Sequence, residues 1–220
     1  MSFGQSFEAV SIKPNTSGSF NSHGHSDNLL INLENYSLKQ IVLDAYSLKD
    51  YALTGPSWLD DVRFDVVAKV PDKAPSKQIP LMMQSMLAER FGLKGHREPK
   101  MISGYALIAG KKPPVLQESQ GGGSNTNTNN GKLTGTHVSM EKLADILSRL
   151  IRQPVQNQTG LAGVMDIQLE WTPEQADPTA EGAGSIFTAL QEQVGLKLQA
   201  QKITIDVLVV DHIERVPTEN

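Results

Sequence analysis

The sequence predicts an α+β fold made by tandem duplication, in which each copy is a β-α-β-α-β-β unit with its helices packed on small mixed sheets. Three observations predict this fold. Four blocks of similar residues occur twice in the same order. Equivalent positions, such as Ser37 and Ser139, stay 101 to 103 residues apart across all four blocks. Within each copy, segments with a helical apolar period alternate with short strand-like runs.

The first copy follows an edge strand and a polar loop, and its helices carry local signals. In SLKQIVLDAY, apolar residues recur at i, i+3, i+4, i+7 and i+8, which is typical of one helix face, and Ser37 is placed to cap the helix start. Gly92 suits the left-handed residue that closes the second helix. The predicted elements are strands over 7–14, 29–33 and 63–70, helices over 37–46 and 79–91, and two final strands within 93–98 and 104–110.

The second copy repeats this plan. SMEKLADILSRL has the same helical spacing with Ser139 as its cap, and Gly195 corresponds to Gly92. The predicted elements are strands over 132–136, 164–171, 196–201 and 205–213, and helices over 139–150 and 185–194.

The copies define the predicted domains. The first α+β domain, with its N-terminal strand, covers 1–114, and the second covers 132–220. Between them, residues 115–131 are predicted to be a flexible linker, because GGGSNTNTNNG contains no apolar residue and is rich in residues that tolerate turns.

Composition excludes several classes of function. The chain has 20 Lys and Arg against 24 Asp and Glu, so it lacks the basic surplus that nucleic-acid binding requires. No apolar run approaches the ~18 residues of a membrane span. The absence of cysteine excludes disulfides, thiol catalysis and cysteine metal sites. There is no P-loop, G-x-S-x-G or H-E-x-x-H motif, and we predict no cofactor.

The segment WLDDVRFD is the densest group of chemically active side chains, and it is the predicted ligand site. Trp58 would stack on a ligand, while Asp60, Asp61 and Arg63 would hydrogen-bond to it. These residues have no counterpart in the second copy, which keeps only the last aspartate. The alternative is that the segment is a loop entering a strand, with aspartate capping the turn and Arg63 paired to a nearby acid. Because both copies keep Asp65 and Asp166, we predict that these two aspartates belong to the scaffold and bond to backbone N–H groups of the turn.

Histidines offer two further candidates. His96 and Glu98 would share one face of a strand, where a carboxylate beside an imidazole can perform acid–base chemistry or bind a ligand; the alternative is a solvated edge strand. His23 and His25 alternate in a polar loop, but Asp27 is the only nearby third ligand, so we predict no metal site.

Paired carboxylates define the enzymatic alternative. A glycoside hydrolase needs only two acids at a suitable separation. The candidates are Asp60, Asp61 and Glu89 in the first copy and Glu170 in the second.

Several motifs together resemble a known family. They are FEAVSIKPN, GPSWLDDVRFDVVAK, LAERFGLKGHRE, TGLAGVMDIQLEWTP, FTALQEQVGLKL and VLVVDHIER. They are similar to a family of soil-associated bacterial proteins of unknown function that occur in paralogous sets. The resemblance implies an exported protein, periplasmic or secreted, whose signal peptide is absent from this sequence, and it supplies no catalytic residue. Each half also resembles the short N-domains of secretins and TonB-dependent receptors, which bind partners.

Two functional hypotheses follow. The first is an exported binding or interaction module for a protein, a peptide or a cell-envelope glycan. The second is a small glycoside hydrolase. The first is favoured because no catalytic motif stands out from the rest of the sequence.

Overall fold

The computed structural model describes residues 6–19, 21–27, 29–72, 74–111, 114–172 and 184–218. In these residues, helices and small sheets of mainly antiparallel strands form an α+β protein, which confirms the predicted class. The chain divides into two compact units. Unit 1 comprises Met1–Lys100 and Ile205–Asn220, and unit 2 comprises Met101–Thr204. These boundaries differ from the predicted domains, because residues 205–220 of the second predicted domain belong to unit 1 and residues 101–114 of the first belong to unit 2.

Unit 1 contains a four-stranded antiparallel sheet of order β1-β5-β3-β2. Its strands are β1 (Ala9–Pro14), β2 (His23–Asp27), β3 (Leu30–Ser37) and β5 (Arg63–Lys69). A second group of strands has the order β4-β12-β6 within this unit. It consists of β4 (Leu53–Thr54), the start of β6 (Lys94–Ala109) and the end of β12 (Leu196–His212).

Two helices cover the core of unit 1. Helix α1 (Leu38–Ala45) begins at a capping box, in which the Ser37 hydroxyl accepts from the Gln40 N–H and the Gln40 side chain accepts from the Ser37 N–H. Helix α2 (Ile79–Phe91) ends at Gly92, whose φ of 59° is the left-handed value expected of a closing glycine. The helices bury their apolar faces against the inner face of the sheet, where the core includes Ile41, Phe64, Val66, Leu87 and Phe91.

Unit 2 contains a sheet of order β7-β11-β9-β8, which is also antiparallel. The strands are β7 (Gln117–Glu118), β8 (Asn125–Asn129), β9 (Lys132–Ser139) and β11 (Val164–Glu170). Helix α3 (Met140–Leu150) begins at Ser139, whose hydroxyl accepts from the Lys142 N–H, and helix α4 (Ile186–Gln193) precedes Gly195 at φ 72°. Strand β10 (Val155–Asn157) pairs with β6 in this unit. The core includes Leu133, Leu143, Leu147, Leu169 and Leu190.

Each unit contains a β-bulge that is bonded to an aspartate, and the two aspartates occupy equivalent positions in the two copies. Asn35 in β3 and His137 in β9 both take positive φ values, 56° and 57°, where the strand register shifts in a bulge. The Asn35 N–H donates to Asp65 Oδ1 at 2.9 Å, and the His137 N–H donates to Asp166 Oδ1 at 3.1 Å. Each aspartate therefore holds a bulge in place. This confirms the scaffold role that the sequence predicted for Asp65 and Asp166.

Part of the segment 115–131, which was predicted to be a flexible linker, belongs to the sheet of unit 2. Strand β8 lies inside it and pairs with β9 from Asn125↔Thr136 to Asn129↔Lys132. Asn130 and Gly131 form the connecting turn with φ values of 42° and 78°. Two successive positive φ values are the requirement of a tight hairpin turn, and Asn-Gly is the dipeptide that meets it most readily. The linker prediction is wrong for this hairpin, because the composition of the segment does not reveal the turn that Asn-Gly forms.

The strand orders of the two sheets correspond element by element. Each strand of the unit 1 sheet matches a strand of the unit 2 sheet that lies six strands later in the chain. The capping serines, the closing glycines and the bulge aspartates match in the same way. A tandem duplication predicts this agreement, and common descent of the two copies stays a prediction.

Candidate functional site

The segment WLDDVRFD begins in a short helix and ends in a strand, and these two elements place its side chains in different environments. Residues Ser57–Asp60 form a 3-10 helix, and β5 starts at Arg63. Trp58 is half-buried against the unit 1 core. The guanidinium carbon of Arg215 lies 4.9 Å from the centre of the Trp58 ring, which is a cation–π contact. Trp58 therefore supports a cation beside the cleft described below, and it is not the fully exposed platform that a stacking role requires.

Asp60 forms a salt bridge with Lys39. Lys39 Nζ lies 3.1 Å from Asp60 Oδ2 and 2.6 Å from Asp50 Oδ1. The hydrogen bond with Asp50, together with that from Asp60, raises the pKa of Lys39 above its ordinary value. This bridge ties the 3-10 helix to helix α1, so Asp60 is better explained as scaffold than as a ligand contact.

Arg63 is half-buried and anchored at one nitrogen. Its Nη1 donates to the Asn35 carbonyl oxygen at 2.8 Å and approaches Ser22 Oγ at 3.3 Å. Asn35 is itself buried, and its side-chain amide donates to the carbonyls of Ser19 and Asn21. The guanidinium group is therefore held rigidly by the bulge and by the loop before β2, which reduces the entropy that it would lose on binding a ligand.

Arg63 and Arg215 line the same surface cleft. The cleft has a volume of about 360 Å³, which is near the low end of small-ligand sites. Its polar lining consists of Asn15, Asp61, Arg63 and Arg215. Pro14, Val62 and Val216 add apolar surface. Two arginines against one aspartate give the lining a net positive charge, which suits an anionic group with an apolar neighbour.

The structure thus brings together part of the predicted ligand site and adds to it. Asp61 and Arg63 line the cleft, and Trp58 contacts Arg215, which also lines it. Asn15 and Arg215 were missed, because they lie far from WLDDVRFD in the sequence. The one signal for Arg215 was its place in VLVVDHIER, a motif that carried the family resemblance but suggested no ligand contact.

His96 belongs to a separate surface cluster. Its Nδ1 lies 2.9 Å from Asp211 Oδ2 on β12, and its Nε2 lies 4.0 Å from Glu98 Oε2. Sequence reasoning found Glu98 but missed Asp211, the closer partner. All three side chains are about half exposed, and none lines a described cleft. The arrangement fits the alternative of a solvated strand pair joined by a surface ion pair.

This ion pair predicts a pH dependence of stability. The hydrogen bond and the negative charge of Asp211 raise the pKa of His96 above its ordinary value, with a smaller effect from Glu98. The ion pair therefore stabilises the protein fully below the pKa of histidine in the unfolded chain, about 6.5. This stabilisation is lost as the pH rises through the higher pKa of His96 in the folded protein. We expect the urea midpoint of the natural protein to fall relative to that of His96→Gln between about pH 6 and about pH 8. Parallel midpoint curves for the two proteins would contradict this.

The candidate catalytic carboxylates are divided between the two units. Glu89 is exposed on helix α2 in unit 1, whereas Glu170 lies in unit 2. Lys132 Nζ is 2.7 Å from Glu170 Oε1, and this hydrogen bond lowers the pKa of Glu170. A glycosidase acid requires the opposite shift.

The described residues hold no group of three or more side chains that could bind a metal ion. The His25 ring lies 3.3 Å from the side-chain amide of Asn32 on the neighbouring strand, and His23 lies on the same strand β2.

Comparison with known proteins identifies the family. A family model described as a protein of unknown function (DUF3738) matches residues 39–213, which is most of the chain. The chain belongs to the DUF3738 family. The predicted membership of a family of unknown function is thereby confirmed, while soil origin, paralogous sets and the likeness to secretin N-domains stay predictions. No curated protein and no solved structure matches this family member. None of its described helices is long and apolar enough to cross a membrane.

Proposed function

We propose that this DUF3738 protein is an exported binding module whose unit 1 cleft captures the carboxylate end of a peptide. The observation that carries the proposal is the convergence of Arg63 and Arg215 on one cleft. A guanidinium group offers a planar pair of donors that matches a carboxylate. Export is the part of the proposal that rests on the family resemblance.

The remaining lining favours a peptide over an acidic sugar. Pro14, Val62 and Val216 present apolar surface beside the two cations, and Val216 is 71% exposed. The side chain of an apolar residue next to a carboxylate would cover this surface, whereas a sugar acid carries a hydroxyl group on most of its ring carbons. Burying those hydroxyls against apolar walls without partners would cost free energy.

The glycoside hydrolase has weaker support. Two of its four candidate acids form ion pairs with lysines. In unit 1, Asp60 pairs with Lys39, and in unit 2, Glu170 pairs with Lys132. Hydrolysis needs one carboxyl group that stays protonated near neutral pH beside a second that is ionised.

Titration calorimetry with paired peptides tests the proposal. Each peptide ends in an apolar residue and is supplied with a free or an amidated C-terminus. We expect the free acid to bind, and Arg215→Gln to weaken binding about tenfold or more, because charge-assisted hydrogen bonds contribute about 1.5–3 kcal/mol. Arg97→Gln, which removes an exposed cation in unit 1 outside the cleft, is the matched control and should leave affinity unchanged. Equal affinity for acid and amide would refute the proposal.

A further inference from the structure

Strand β8 is an edge strand that lacks the usual protection against pairing. It is the last strand in the order β7-β11-β9-β8, and its sequence NTNTN contains no charge, proline or glycine. Proteins commonly protect exposed edges with charged residues, proline, bulges or very short strands. The other described edge strands have such features, since β1 contains Lys13 and Pro14, β2 contains Gly24 and Asp27, and β4, β7 and β10 have two or three residues.

The sequence of β8 is also self-complementary. Read from Asn125 to Asn129 or in reverse, it gives the same residues. An antiparallel pair of two β8 strands centred on Asn127 would therefore place Asn opposite Asn and Thr opposite Thr at all five positions. Cross-strand threonine pairs are stabilising, and stacked asparagine side chains form amide ladders. Self-complementarity is what a two-fold symmetric interface requires.

The side chains of β8 do not obstruct such an approach. Asn125, Asn127 and Asn129 are exposed, and the Asn130–Gly131 turn fixes the strand against β9. On the same face, Asn127 pairs with Thr134 of β9, and Thr134 pairs with Gln168 of β11. The charged side chains of this face, Lys132 opposite Asn129 and Glu170 opposite Lys132, form an ion pair with each other. A second sheet added at this edge would therefore continue a hydrogen-bonding face without placing like charges opposite each other.

We infer that β8 is a self-association surface, through which two copies of this chain join their unit 2 sheets into one eight-stranded antiparallel sheet with Asn127 on the two-fold axis. A five-residue strand pair is a small interface, so the dimer is weak and forms at high local concentration. The inference is independent of the unit 1 cleft, because it involves only residues of unit 2.

Sedimentation velocity over a concentration series tests the inference. We expect the natural protein to shift from monomer towards dimer as its concentration approaches the order of 1 mM, where weak interfaces become populated. Asn127→Lys places two like charges against each other at the axis and should leave only monomer. Thr134→Lys adds the same charge on the same face one strand further in, and it should dimerise like the natural protein.

Mixing charge variants makes the test specific. An equimolar mixture of Asn127→Lys and Asn127→Asp chains pairs opposite charges at the axis, so the dimer should return, while each variant alone stays monomeric. Thermal melting of the three variants verifies that they fold. A natural protein that stays monomeric, an Asn127→Lys protein that still dimerises, a Thr134→Lys protein that loses the dimer, or a mixture that fails to restore it would each overturn the inference.

Discussion

Asp65→Ala is expected to lower the free energy of unfolding of unit 1 by about 2–3 kcal/mol, because it leaves the Asn35 N–H without its acceptor. Asn35 is 3% exposed, so water cannot readily replace the lost carboxylate. The same oxygen of Asp65 also accepts from the Asn15 side chain at 2.8 Å. Without these bonds, the bulge no longer holds Asn35 at its positive φ, and the Arg63 anchor is weakened with it.

The measurement uses one tryptophan for each unit. The chain has two tryptophans, Trp58 in unit 1 and Trp171 in unit 2. In a Trp171→Phe background, urea unfolding followed by fluorescence reports on unit 1 alone, which avoids treating the chain as a single two-state unit. Asp65→Asn keeps an acceptor oxygen and should recover much of the loss. An Asp65→Ala protein with an unchanged midpoint would show that the carboxylate does not hold the bulge.

The equivalent change in unit 2 serves as a matched comparison. Asp166 accepts from the His137 N–H at 3.1 Å, and His137 has nearly the same φ as Asn35. Asp166→Ala should therefore destabilise unit 2, monitored through Trp171 in a Trp58→Phe background. The effect should be smaller, since His137 is only half-buried whereas Asn35 is buried.

Trp58→Ala is expected to lower the free energy of unfolding by about 2–3 kcal/mol, because the ring is half-buried and removal of a fully buried aromatic side chain costs about 3–5 kcal/mol. The ring is half-buried against the core and also supports the Arg215 guanidinium. A cation–π contact at a partly exposed site contributes about 0.5–1 kcal/mol, so most of the expected loss comes from packing. Thermal and urea unfolding of the variant, followed by circular dichroism, measure this change.

The control for Trp58 separates packing from the cation contact. Trp58→Phe keeps much of the apolar contact and should recover most of the stability. Arg215→Gln removes the cation but leaves the ring, so its stability loss should stay below about 1 kcal/mol. If Trp58→Ala were as stable as the natural protein, the ring would have to be a free surface platform, as the stacking hypothesis supposed.

Helix ends and the bulge aspartates were the most predictable features, and the helix ends were predictable because their interactions are local. Ser37 and Ser139 cap helices as predicted, since a hydroxyl can reach an N–H only three residues ahead. Gly92 and Gly195 take left-handed values for a similarly local reason. The aspartates of the bulges were predictable for a different reason. They recur in both copies, while the rest of WLDDVRFD does not.

The hairpin of β8 and β9 was predictable in principle. The Asn130–Gly131 dipeptide is a strong turn signal, and the segment after it alternates in polarity. Because β8 itself has no apolar residue, however, hydrophobic patterning could not distinguish an edge strand from a linker. Its partner β9 supplies the buried side chains on one face, and β8 is held by pairing with it.

By itself, the sequence determined the α+β class, most of the helices and strands, the caps, the bulge aspartates and the family, because these depend on local geometry or on repeated motifs. Only the tertiary structure decided the composition of the units and of the sites. Arg215 reaches Trp58, and Asp211 reaches His96, because the end of β12 belongs to unit 1. These partners are separated by more than 100 residues, and strand order, which has no local signal, determines which of them meet.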